Sequence, residues 1–383
     1  MCIFSALLKT HRFGTNLMKK KNADRLAIIS GYPPPYGGVT THIMRLCGLL
    51  DETSLEYTVY NAISASEEPG RVVSIRRFRR LWILWYALTG KESAVYLASQ
   101  RIVVWLAGAF MASWRGKKVA IRLQNAKVAD RVSRGGFHKA IIGFAMRRLS
   151  AIVCVNNELA EAVKSIGVDP RKVHVFPGFL PPLQADRDPG RVAKDVWDFC
   201  QGKSPVIAAN GKVGLWKGED LYGLDHLICL AERLKPRFPN VGIVVCFWHH
   251  LPEDQPRLNQ LISLAKENGL EQNILFNTKS GLFVPVIEKA DLFVRPTNTD
   301  GDANSIREAL FFGIPVVASD VVKRPEGTIE FRTRNMEDFE QKVLAVLTTT
   351  SASPQKPLRE EQENIKQRID SYLKLLSGLV KQH

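Results

Sequence analysis

The triplet Asp300-Gly301-Asp302 carries the most pointed chemistry in the chain. Two carboxylates flanking one glycine can hold a divalent cation. Equally, such a loop bares backbone N–H groups at the mouth of a helix, and these take an anion without a metal. Downstream, Ser305-Ile306-Arg307-Glu308 has the S-x-x-E form of a capping box, so a helix is predicted to start at Ser305 and to stop before Gly313 and Pro315. On that pattern the plainest role for Glu308 is to cap its own helix.

Two further loops carry groups suited to phosphate. In the glycine-rich run 208–228, Lys212 and Lys217 offer two ammonium groups that can neutralise a diphosphate leaving group, although solvated loop lysines are the plainer reading. In the run 30–46, Pro33, Pro34 and Pro35 stiffen a turn, Gly37 and Gly38 permit positive φ and close backbone approach, and a helix is predicted from about Thr40. Neither the G-x-G-x-x-G nor the P-loop spacing is present. The adjacent His249 and His250 would point to opposite sides of a strand and make a poor chelating pair. His42, behind the glycines, and His174, in a predicted strand, read as packing residues, and Glu326 as a turn acid or a cleft residue.

These loops need a scaffold, and apolar strand-like runs alternate with helical patterns throughout. The runs are 26–30, 57–61, 94–99, 118–123, 151–156 and 173–176, then 205–210, 241–247, 273–276, 291–294 and 315–319. Wholly apolar strands separated by helices indicate parallel sheets covered on both faces, hence an α/β chain of two Rossmann-like doubly wound domains. Pro181, Pro182, Pro189 and Gly190 mark the break between them. The expected division is a disordered leader at 1–23, with Met18 an alternative start, an N-terminal domain at 24–185, a C-terminal domain at 186–350 and a last helix at 358–380. That helix spaces Ile365, Ile369, Tyr372, Leu376 and Leu379 along one apolar stripe and must pack on something. Ligands of such sheets bind beyond the carboxyl ends of the strands, where the three loops fall.

The chain has 383 residues, 45% of them hydrophobic, enough for two cores. Its net charge of +15 is one-sided: residues 1–190 carry 28 Lys+Arg and 13 Asp+Glu, leaving 25 of each in the remainder. An anionic partner of the first half is implied, whether nucleic acid, acidic lipid or phosphorylated substrate. Arg76, Arg77, Arg79 and Arg80 beside Trp82, Trp85 and Tyr86 suit an interfacial membrane helix or, equally, an ordinary surface helix. No RNA-binding aromatic signature or DNA-reading motif is visible. The six cysteines show no paired spacing and read as reduced, buried thiols of a cytoplasmic protein. The opening residues lack the pattern of a signal sequence, and the longest apolar run, 102–113, suits a buried helix rather than a membrane span.

The three loops, in this order and each after a strand, resemble those of the retaining GT-B-fold glycosyltransferases of family 4, the glycosyl transferases group 1. The family's acid, seven residues, then Glu is matched by Asp300 and Glu308, followed by ALFFGIPVVASD and RPEG. Its G-R-x4-K-G loop is matched by Gly211, Lys212, Lys217 and Gly218, and its PP-x-GG loop by Pro34, Pro35, Gly37 and Gly38. The resemblance spans most of residues 25–330, and the final helix is similar to the one that crosses back towards the N-terminal domain.

The resemblance implies two domains facing across a cleft and transfer of a sugar from a UDP- or GDP-sugar to a glycan acceptor, without a metal or other cofactor. Glu308 would accept the ribose hydroxyls, and Lys212 and Lys217 would hold the diphosphate, with Gly37, Gly38 and Gly211 close to it. Asp300, with the backbone of Gly301, Asp302 and Ala303 and the helix start at Asn304 and Ser305, would meet the donor sugar. Where the family often has a histidine near the acceptor, this chain has Gln124 and Asn125, neither able to act as a general base at neutral pH. A polyprenyl-diphosphate-linked acceptor at the inner face of a membrane, in polysaccharide biosynthesis, would account for the basic half. The alternatives are a nucleotide-sugar epimerase or phosphorylase of the same fold, a non-catalytic protein binding nucleic acid or membrane, or an inactive scaffold.

Overall fold

The computed structural model describes residues 24–34, 36–75, 79–124, 136–176, 178–247, 250–279, 281–301, 303–349 and 359–380. The expected leader, Asn125, Asp302, His249 and the arginines Arg76 and Arg77 lie outside these residues. The chain divides into two units: residues up to 34, 39–178 and from 366 onward form one, and 35–38 with 179–365 form the other.

The first unit runs β1 (Leu26–Ser30), α1 (Gly38–Asp51), β2 (Tyr57–Asn61), β3 (Val72–Ser74), α2 (Arg79–Thr89), β4 (Ala94–Leu97), α3 (Ile102–Trp114), β5 (Lys118–Leu123), α4 (Gly136–Arg148), β6 (Ala151–Cys154), α5 (Asn157–Lys164) and β7 (Val173–Val175). Its seven strands are parallel in the order β3-β2-β1-β4-β5-β6-β7. β1, β4 and β6 are buried along their whole length, as apolar strands covered on both faces must be.

The second unit runs α6 (Lys194–Cys200), β8 (Val206–Gly211), β9 (Leu215–Trp216), β10 (Glu219–Asp220), α7 (Leu224–Leu234), β11 (Gly242–Phe247), α8 (Gln255–Glu267), β12 (Ile274–Asn277), α9 (Val284–Lys289), β13 (Leu292–Arg295), α10 (Asn304–Phe311), β14 (Val316–Ser319), β15 (Thr328–Phe331) and α11 (Met336–Thr349). Six strands form a parallel sheet in the order β12-β11-β8-β13-β14-β15. In both sheets the order reverses once, between β1 and β4 in the first and between β8 and β13 in the second. The loops leaving those strands are therefore where a ligand is expected.

Every strand read from the sequence is present. Three short features were not: β3 and β15, edge strands of three and four residues, and the hairpin β9–β10, whose strands have two residues each. Such segments are too brief for an alternation to register.

The division falls at Gly178/Phe179 rather than at 185/186. Gly178 is held in the first unit, its carbonyl accepting from His42 Nδ1 at 2.9 Å and Arg122 Nη2 at 3.4 Å. The next residues belong to the second unit, with Phe179 against Phe311 and Arg187 paired to Glu288 at 2.6 Å. A last helix, α12 (Arg359–Val380), is shared, and from residue 366 it belongs to the first unit. There Tyr372, Leu376 and Leu379 are buried. The Tyr372 ring stacks on Phe176 at 4.8 Å, and its hydroxyl hydrogen-bonds that of Tyr96.

Two expectations about α2 and α3 change. Tyr86 is buried and Trp82 packs against both it and Tyr60, so of the three aromatic residues only Trp85 faces outward. α3 is also not buried all round, because Val103, Leu106 and Trp114 are exposed. Among the described residues no helix is long and apolar enough to cross a membrane. Cys47, Cys154 and Cys246 are buried free thiols, whereas Cys200 and Cys229 are only half-buried.

Candidate active site

β8 ends in Asn210-Gly211 and β13 ends in Arg295, side by side where the second sheet reverses. Arg295 donates through Nη1 to Asn210 Oδ1 at 2.9 Å, which ties the two strand ends together. Ser305 Oγ reaches the same Asn210 oxygen at 3.2 Å and brings in the first turn of α10. The Arg295 guanidinium also lies 5.2 Å from the centre of the Tyr222 ring.

Asp300 is the hub of this arrangement. Its carboxylate accepts from Arg295 Nε at 2.6 Å and Nη2 at 2.8 Å, a bidentate fork, and from Arg324 Nη1 at 2.7 Å. The Gly301 N–H adds a fourth bond at 3.0 Å. Arg324 is fixed in turn by the Ser319 carbonyl at 2.8 Å and hydroxyl at 3.1 Å, at the end of β14. Burial alone would raise the Asp300 carboxyl, but hydrogen bonds and charge from Arg295 and Arg324 outweigh it and hold the group below the usual carboxylate range. Only 7% of the Asp300 side chain is exposed, and four donors fill its lone-pair positions. The expected direct contact between this carboxylate and a sugar is therefore not what the geometry favours. Asp300 holds the 296–301 segment against the ends of β13 and β14 through Arg295 and Arg324.

The capping box is also corrected. α10 begins at Asn304, its N-cap is Ala303, no side chain among the described residues caps it, and Ser305 turns its hydroxyl to Asn210. Ala303 has no side-chain oxygen to offer, so the N-cap leaves the first-turn N–H groups without a side-chain bond, and that of Ile306 turns to the Ala303 carbonyl at 3.2 Å. Glu308 is buried one turn further on and is not without a partner.

The loop after β8 is a hairpin rather than an open glycine-rich loop. Lys217, with φ 52°, and Gly218, with φ 86°, form the two-residue turn between Trp216 and Glu219, the primed geometry that antiparallel ribbons prefer. Lys217 is exposed at the tip and Lys212 is half-buried at its base. Gly211 answers to the protein itself, since a Cβ there would lie 2.8 Å from the Tyr222 ring. Gly223, not singled out from the sequence, is more constrained: at φ 65° a Cβ would lie 2.0 Å from the Pro296 carbonyl oxygen. Asp220 binds the N–H groups of Tyr222 and Leu224 at 3.3 and 3.1 Å, and burial raises its carboxyl. Gly301 is exposed with open space around it.

Gly37 and Gly38, which group with the second unit, precede and open α1, both exposed, and neither takes the positive φ open to it. Gln124, just beyond β5, is half-buried, its Nε2 without a partner among the described residues. Neighbouring Arg122 is buried, its Nη2 on the Gly178 carbonyl and its Nε and Nη1 without a hydrogen-bond partner of good geometry among the described residues. His42 is buried beside it, its pKa driven well down by burial and then by the Arg122 charge. His174 is half-buried in β7, His250 bonds Gln255 at 2.9 Å, and Glu326 is exposed in its turn. Among the described residues no three or more His, Cys, Asp or Glu cluster as a metal site.

Arg295, Arg324, Asn210 and Tyr222 were missed in the sequence. Each lies at or just beyond a strand end, and that position was the available signal.

A glycosyltransferase from Rickettsia africae shares the architecture at TM-score 0.63 and 12% identity, over 94% of this chain and 99% of the other. An α,α-trehalose-phosphate synthase (UDP-forming) from Burkholderia vietnamiensis does so at TM-score 0.62 and 13% identity, over 94% and 98%. A UDP-GlcNAc 2-epimerase from Methanocaldococcus jannaschii gives TM-score 0.59 and 15% identity, over 91% and 99%. The chain has the GT-B fold. Residues 217–367, from the hairpin tip of this GT-B chain into α12, match the family model described as glycosyl transferases group 1. No curated protein matches the sequence.

Proposed function

We propose that the chain is a glycosyltransferase that moves a sugar from a UDP- or GDP-sugar to a glycan acceptor with retention of configuration. One observation carries the reading. Asp300 and Glu308 belong to a braced loop and helix at the point where the second sheet reverses, within the segment that matches the group 1 model. UDP is the favoured nucleotide, because it stands in the names of two proteins of the same fold.

In this reading Glu308 accepts the ribose hydroxyls, while the first turn of α10 and the ammonium groups of Lys212 and Lys217 take the negative charge of the diphosphate. Asp300 touches no sugar: it positions the loop through Arg295 and Arg324. The bond between the sugar C1 and the phosphate oxygen breaks, the acceptor oxygen bonds C1 on the same face, and its proton passes to the departing phosphate. No side-chain base and no metal are required, and Gln124 orients the acceptor. A lipid-linked acceptor in polysaccharide assembly fits the basic first half.

Thermal-shift titration with UDP, GDP and their sugars, with and without EDTA, tests the donor. One nucleotide should stabilise the protein whether or not EDTA is present, and Glu308→Gln should weaken its binding at least tenfold, the loss expected for hydrogen bonds to a charged group. Proton spectra of the product should show the donor's anomeric configuration. Binding of no nucleotide sinks the reading. Conversion of the donor without acceptor makes the chain an epimerase instead.

A further inference from the structure

We infer that the exposed apolar face of α2 and α3 is a membrane-docking surface that lies in the headgroup region of an anionic bilayer. α2 is apolar on both sides. Ile83, Tyr86 and Ala87 face the core, while Leu81, Leu84, Trp85 and Leu88, spaced i, i+3, i+4, i+7, are 71, 49, 54 and 57% exposed. A helix apolar all round belongs inside a protein or against another apolar phase. α3 packs beside α2 and repeats the pattern. Trp105, Ala109 and Met111 point inward, whereas Val103, Leu106 and Trp114 point out, the last 81% exposed.

Charge selects the occupant. Residues 76–148 contain 16 Lys+Arg and 2 Asp+Glu, a net of +14 out of the whole chain's +15. Of those two acids, Glu92 accepts from the hydroxyls of Tyr60 and Tyr86 at 2.6 and 2.8 Å, and Asp130 lies outside the described residues. Lys91, Arg101 and Arg115, at the ends of α2 and α3, are exposed. Arg115 donates to the carbonyls of Leu88 and Gly90, which fixes a cation at the edge of the apolar stripe. Exposed Leu and Trp rimmed by cations, with no exposed described acid between, match a leaflet of anionic lipid. Nucleic acid would meet the cations and leave the apolar carbon in water. No described helix is long and apolar enough to cross, so the surface lies on the membrane. Four outward side chains of α2 and three of α3 form its apolar part, and of the arginine run read from the sequence Arg76 and Arg77 lie outside the described residues. The inference draws on the proposed lipid-linked acceptor for its purpose but not for the binding.

The test is co-sedimentation of the full chain with vesicles of phosphatidylcholine, with and without 30% phosphatidylglycerol as a chosen probe composition of about that fraction. The protein should pellet with the anionic vesicles, and raising the salt from about 0.1 to about 0.5 M should weaken this. Trp85→Ser with Leu88→Ser should lower partitioning at least about tenfold, and Arg101→Gln by about fivefold. All these side chains are exposed, so the melting temperature and nucleotide binding in free solution should stay as in the parent. Failure to pellet, or full binding by the double variant, overturns the proposal. So does a concentration-dependent dimer that Leu84→Asp dissociates, which would assign the face to a second copy. Loss of nucleotide binding in the parent would instead count against the transferase reading and leave the docking result standing.

Discussion

Asp300 shows how a residue type can be legible and its role not. Its acid-x7-Glu spacing is plain in the sequence, yet Arg295 and Arg324, five residues before and 24 after it, decide what the carboxylate does. Removing one partner of a buried ionic cluster strands the others, so Asp300→Ala should cost about 3–5 kcal/mol in urea unfolding. Its folded pKa is below the unfolded value of about 3.9. The stabilisation it provides is therefore complete above about pH 4 and is lost as pH falls through the folded pKa. Unfolding midpoints in acid should show this loss in the parent and not in Asp300→Ala. His42 has the same sign in a higher window. Burial, then the Arg122 charge, keeps it neutral well below its usual value of about 6.5. Its contribution should be whole above about pH 6.5 and decline as pH falls below that, and His42→Gln should flatten the decline.

At the scale of elements, the central strands were readable because a strand buried on both faces must be apolar throughout. The hairpin β9–β10 was not, since its signal is a single Lys217-Gly218 turn in which lysine takes a positive φ. The α10 start was misread by one residue because Ser305 could cap the helix or brace it to Asn210, and only the neighbouring strand decides. Gly223 carries the element-scale prediction. Any side chain there collides with Pro296, the first residue of the Asp300 loop. Gly223→Ala should cost about 2 kcal/mol or more, through its left-handed φ and the collision. It should also weaken nucleotide binding more than Gly301→Ala, whose Cβ would have no atom of the described residues beyond its chain neighbours within 4 Å. Denaturation and calorimetric titration of the pair check this.

For the whole molecule, α12 is the long-range element. Its Tyr372 lies in the first unit against Phe176, Tyr96 and His42, more than 190 residues away in sequence. Tyr372→Ala should cost about 3–5 kcal/mol and Tyr372→Phe about 1 kcal/mol, measured as melting shifts. Composition and strand spacing by themselves determined two parallel α/β sheets, a last amphipathic helix and the three loops that could meet phosphate. Each rests on a local pattern of burial and turn chemistry. Tertiary structure alone decided that Asp300 is spent on two arginines, that Ser305 braces rather than caps, and which face of α2 looks outward. Those outcomes depend on partners far away in the chain, and local periodicity holds no information about distance in space.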